Sequence, residues 1–103
     1  MTELIKKLAE RVEEEICDMR WYAQKACELK STYPEIAESM YQISTQEESH
    51  AKILHERAEA LITKHRDSGN SVPSDMLAVY EYIHNRALEK KEEAIRYQQM
   101  YKS

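Results

Sequence analysis

The sequence predicts an all-α protein made of an antiparallel helical hairpin and a third long helix. Three observations carry this reading. Apolar residues recur three and four positions apart over long stretches, which is the period of a helix face. The chain holds one Gly, two Pro and no Phe, while 33% of its residues are charged; that is the composition of solvated helices rather than of a sheet. Its strongest breakers gather in two places, "STYP" at 31–34 and "DSGNSVPSD" at 67–75.

The first helix is expected over about 3–30, with the stripe Ile5, Leu8, Val12, Met19, Tyr22, Ala26 and Leu29. Pro34 suits the first turn of the second helix, where its missing N–H would have no partner anyway. That helix is expected over 35–66, with Ala37, Met40, Ile43 or Ser44, Leu54, Ala58 and Leu61 on its stripe. Lys64, His65 and Arg66 set cations against the negative end of its dipole, and Gly69 is the stop signal, in a turn centred near Asn70. Pro73, Ser74 and Asp75 open a third helix over 74–101, whose stripe (Met76, Tyr80, Ile83, Ala87, Ala94, Tyr97, Tyr101) is interrupted by Lys90. Residues 1–103 read as a single domain. A chain this short buries a modest core, so a partner subunit is expected.

A formal net charge of −4 argues against nucleic acid and anionic membranes as partners. No apolar run is long enough to span a bilayer, and "MTELIKKLAERVEEE" lacks a signal-peptide core, so a cytoplasmic location is expected. Cys17 and Cys27 share the first helix about 15 Å apart, too far to bridge within one chain, and are expected to be reduced thiols.

The chemistry is expected where the stripes are interrupted. At heptad-like spacing the first stripe meets Glu15, whereas Glu13 and Glu14 fall beside it as ordinary surface acids. The second stripe meets Glu47 and His50. Counted outward from a turn at Ser31–Tyr33, Glu15 falls level with Glu47 and His50, so the two interruptions should face each other. Buried unpaired carboxylates are costly and need compensation. A cation supplies it: carboxylate oxygens and imidazole suit iron, manganese or zinc. Glutamate and histidine three residues apart reach one side of a helix and one ion. With a lone Glu on another helix, this is half of a di-iron carboxylate site in a four-helix bundle. The competing reading is a buried Glu–His ion pair without metal.

Three ligands are half of what two irons need. The third helix offers Glu92 or Glu93 at the right level, but no histidine, and Lys90 and Lys91 intrude. A second Glu-x-x-His, Glu81 to His84, falls about 15 Å away and reads as a boundary histidine. His55 and His65 read as surface residues, and Trp21 as an interface or surface aromatic. The simpler completion is a two-fold homodimer in which each hairpin contributes Glu15, Glu47 and His50.

"EICDMRWY" followed by "EESH" resembles the encapsulated ferritins, within the ferritin-like superfamily. In that family a Glu is followed six and seven residues later by Trp-Tyr, and then by Glu-x-x-His on the next helix. The matching positions are Glu15, Trp21, Tyr22, Glu47 and His50, within a resemblance that covers about residues 10–65. It implies a ferroxidase centre between two subunits, Fe(II) oxidised to Fe(III) at a di-iron site, and a ring-like homo-oligomer serving iron storage or detoxification. It also implies a catalytic place for Tyr22 near the metals and a guiding role for Glu14. The second guiding acid of the family falls on Cys17, and the third helix is a departure. The tail "QQMYKS" is unlike the apolar, Gly-containing peptide that docks cargo in an encapsulin shell, so encapsulation does not carry over. The alternative is a non-catalytic structural or interaction module, of the kind a mobile element carries, that keeps a ferritin-like metal site without turnover.

Overall fold

A computed structural model describes residues 2–69 and 72–103. The described residues form three helices and no strand: α1 (Thr2–Leu29), α2 (Pro34–Asp67) and α3 (Ser74–Lys102). Together they make a rod of 56 × 19 × 18 Å. The ends match the expected ones to within a residue. Pro34 is the first residue of α2, and the Tyr33 N–H reaches back to the Leu29 carbonyl at 2.7 Å, which closes the turn. Gly69 takes φ +83°, the left-handed conformation that ends a helix at little cost for glycine. Pro73 stands just outside α3, and its carbonyl accepts the Leu77 N–H at 3.0 Å. Asn70, at the expected centre of the second turn, lies outside the described residues.

The arrangement follows from which faces are apolar. α1 lies against both other helices along its length, antiparallel to α2 and parallel to α3, while α2 and α3 hardly approach each other. A helix with two neighbours must bury a wider face than one stripe. In α1 the buried row is Ile5, Ala9, Val12, Ile16, Met19, Ala23 and Ala26, alternating steps of four and three. Leu8, Tyr22 and Leu29 of the expected stripe flank this row and are half-buried. Small residues let the backbones come close. α2 presents Ala37, Ser44, Ala51 and Ala58, one every seven residues, and Ala37, Ser44 and Ala58 are fully buried.

Polar side chains complete the joint. The buried Ser44 hydroxyl donates to the Met19 carbonyl on α1 at 2.9 Å and accepts from the Gln98 amide on α3 at 3.0 Å. One hydroxyl thereby ties three helices. Glu13 corrects the sequence reading: it is no loose surface acid but accepts a bidentate grip from Arg86 (Nη2 at 2.7 Å) and a longer bond from Lys90 at 3.4 Å. The Arg86 hydrogen bonds hold its carboxyl below the usual range. Lys90, which looked like a flaw in the α3 stripe, is thus the partner of an α1 acid. Arg20 pairs with Glu93 at 3.1 Å, and the Cys27 thiol donates to the Tyr97 carbonyl at 3.1 Å. Cys17 and Cys27 are both free thiols. No helix is long and apolar enough to cross a membrane, among the described residues.

Ser44→Ala removes both of the hydroxyl's bonds, taking a second donor from the Met19 carbonyl and an acceptor from the Gln98 amide. The expected loss is about 1 kcal/mol, or a fall in Tm of about 4–8 °C, read by thermal unfolding. An unchanged Tm would show that the three-helix joint rests on packing alone.

Candidate metal centre

Three side chains that the sequence singled out come together. Glu15 projects from α1, nearly buried, with 9% of its side chain exposed. Glu47 and His50 project from the middle of α2, a turn apart, with 17% and 57% of their side chains exposed. The His50 Nδ1 lies 3.6 Å from Glu15 Oε2 and 3.9 Å from Glu47 Oε1. One donor atom from each of the three residues falls within 4.8 Å of the others. Helical spacing produces this: Glu47 and His50 share a side of α2, and the short turn sets Glu15 level with them.

His50 differs from expectation. It does not lie in a dry interior; Ala51 takes the buried place and faces α1, while the imidazole stands on the rim. The reason is angular. Ser44, Ala51 and Ala58 fix which side of α2 meets α1, and His50, one residue before Ala51, is turned from it by about 100°. The site therefore opens on one surface of the α1–α2 hairpin. α3 engages the other side, through Glu13, Cys17, Arg20 and Cys27 on α1 and through Ser44 and Glu48 on α2. Half-buried apolar residues continue the open face above and below the site: Leu8 and Tyr22 on α1, Met40, Ile43 and Leu54 on α2.

The electrostatics are those of two acids forced together. The Glu47 carboxyl is pushed up to about 7, first by its hydrogen bond with Glu15, then by burial and by the Glu15 charge. The same hydrogen bond from Glu47, together with Arg11 and His50, holds Glu15 below its ordinary value. Near neutral pH the pair shares a proton. Arg11 supplies a further cation: its Nη2 meets Glu15 Oε1 at 2.5 Å and its Nη1 meets Glu14 at 2.5 Å. Sequence reasoning passed over Arg11, although an Arg one turn before a stripe glutamate is a visible signal. Glu14, expected to guide iron inward, is exposed and paired with that guanidinium.

The remaining candidates lie elsewhere. Tyr22 is on the same face as Glu15 but two turns away, about 10 Å along the axis, and packs edge-on against Trp21 with ring centres 5.1 Å apart. It makes no hydrogen bond to the three ligands among the described residues. Trp21 is exposed, with the Lys25 ammonium 5.5 Å from its ring centre. Glu92 is exposed and Glu93 is held by Arg20, so neither joins the site. Glu81 points to solvent, whereas His84 is half-buried and stacks on His55 at 4.9 Å. His55 is thus no plain surface residue.

Carboxylate oxygens and an imidazole nitrogen in this arrangement suit a first-row divalent cation. Three donors on an open face leave coordination positions for donors from elsewhere. Compared with models of protein families, with curated proteins and with solved structures, the chain matches none.

Two outcomes follow. The folded protein holds the Glu47 proton more tightly than the unfolded chain does. In the absence of metal this group therefore stabilises the fold as pH falls from about 7 toward 4.5. Because the depressed His84 works in the opposite sense in part of that window, the test is the difference between wild type and Glu47→Gln across pH 5–8. That difference should slope below about pH 7 and flatten above it. Second, any cation at Glu15 competes with Arg11. Arg11→Gln should tighten Co(II) binding by about two- to fivefold, the scale of an exposed ion pair, read from the visible spectrum of the bound ion.

Proposed function

We propose that this chain is a ferritin-like di-iron protein that oxidises Fe(II), its site completed by a second copy. The observation that carries the reading is the convergence of Glu15, Glu47 and His50 from two helices, with one donor atom from each within 4.8 Å of the others. Its support comes from the donor chemistry, from the lone Glu and Glu-x-x-His on neighbouring helices, and from the place of the site on the hairpin face turned away from α3. A two-fold partner on that face would bring three more ligands to the first three and would cover Leu8, Met40, Ile43 and Leu54.

On this reading iron is the substrate. Two Fe(II) ions each give up one electron, and dioxygen or peroxide accepts the pair. The chain supplies position and charge. Glu15 and Glu47 give up their shared proton when a cation arrives, and Arg11 swings off Glu15 into solvent. The His50 ring, already on the rim, needs only side-chain rotation to meet the ion. Mn or Zn would fit the same donors. The protein would act as a homodimer or a larger ring, in the cytoplasm, in iron storage or detoxification.

One observation favours a second reading, a non-catalytic helical module. Arg11 already pairs with Glu15, and the His50 ring lies beside both carboxylates, so the cluster is tolerable as a structural polar network.

Aerobic addition of Fe(II) separates the two, followed by absorbance in the ferric-oxo band, with native mass and metal analysis on the same sample. Wild type should oxidise iron and should carry metal as a dimer or larger assembly. Glu47→Ala and His50→Ala should each lose at least about tenfold in rate, the scale of losing one ligand or its support. Equal behaviour of wild type and both variants would end the ferroxidase reading. Tyr22→Phe completes the set: slower oxidation at unchanged metal content assigns the phenol a role at the metals, and an equal rate leaves it a packing aromatic.

A further inference from the structure

A second concavity lies on the other side of the helix layer, where α2 and α3 part above α1. It has a volume of about 150 Å³. Its floor is apolar, formed by Val12 and Ile16 from α1, Ala51 from α2 and Ala87 from α3. One end is walled by the His55 and His84 rings, which stack nearly parallel, 17° apart in plane. Burial pushes the His84 imidazole below its ordinary range. Lys52 and Lys91 stand at the rim. Lys91 lies two turns from His84, about 10 Å along α3. Among the described residues neither ammonium has a hydrogen-bond or ion-pair partner.

That combination has a ligand chemistry. An apolar space of this volume accepts a benzene-sized body, and a few placed polar groups fix orientation in such pockets. Two unpaired cations on its rim, Lys52 one turn from His55 and Lys91 two turns from His84, call for an anionic head. We infer that the α2–α3 groove binds a small monocarboxylate with a flat apolar body, benzoate in size. The ring lies over Val12, Ile16 and Ala87 with an edge toward the imidazoles, and the carboxylate lies between Lys52 and Lys91. This site uses none of the three metal-centre residues, so the two can be tested apart.

Titrate the full-length protein with benzoate, reading amide NMR shifts and calorimetric heat. The expected result is saturable binding near about 1 mM, within what so few atoms allow. The largest shifts should fall around Ile16, Ala51 and Ala87, and Tyr22 and Ile43 on the opposite face should stay unmoved. The double variant Lys52→Gln with Lys91→Gln, altered only at the rim, should fold normally and bind about four- to twenty-five-fold more weakly, two exposed ion pairs being lost. Benzyl alcohol, which keeps the ring and loses the charge, should bind as weakly to wild type. Shifts absent from the groove, equal affinity for the alcohol, or an unchanged affinity in the double variant would each overturn the assignment. So would a concentration-dependent dimer that buries Ala51 and Ala87 and excludes benzoate, for then a second copy is the occupant.

Discussion

The backbone of α1 lies close to both other helices, whose own backbones hardly approach each other and meet only through side chains. Everything else in the structure is arranged around that constraint. A helix flanked on two sides needs a broad apolar face and close neighbours, and the alternation of alanine with larger residues from Ile5 to Ala26 provides both. The seven-residue recurrence of small residues on α2 answers it from the other side. Within that recurrence Ser44 replaces what would be another alanine and turns its hydroxyl to two helices at once.

Placing one helix between two others divides the molecule chemically. Charges on the α3 side of α1 are consumed in the fold. Glu13 is gripped by Arg86 and Lys90, and Arg20 is gripped by Glu93. Charges on the other side of the hairpin are not consumed in that way. Glu15 and Glu47 lie close enough to share a proton, a costly arrangement that interhelical packing enforces and that Arg11 relieves only from the rim. A fold that merely needed helices to adhere could have placed methyl groups there.

The three helices, their ends and the register of the hairpin were legible in the sequence, because period and turn chemistry are local signals. Glu15, Glu47 and His50 were legible because a stripe with a missing apolar residue is conspicuous. The rest depended on knowing which helices touch. A row such as Ile5, Ala9, Val12 and Ile16 competes with Ile5, Leu8, Val12 and Glu15 in the same stretch, and only the presence of two neighbours makes the first the centre. Glu13 looked solvated for the same reason: nothing local reveals that Arg86, 73 residues later, will reach it. The exposure of His50 turns on a rotation of one residue relative to Ala51, finer than stripe counting resolves.

The parting of α2 from α3 has a mechanical meaning. Their junction consists of side-chain tips, such as Gln98 to Ser44 and Glu48, Tyr80 to Glu59, and the stacked imidazoles. Such a junction leaves each outer helix seated on α1 by its own packing. α1 is the shared spine of the rod, and the seam between the outer two lies across it from the carboxylate face.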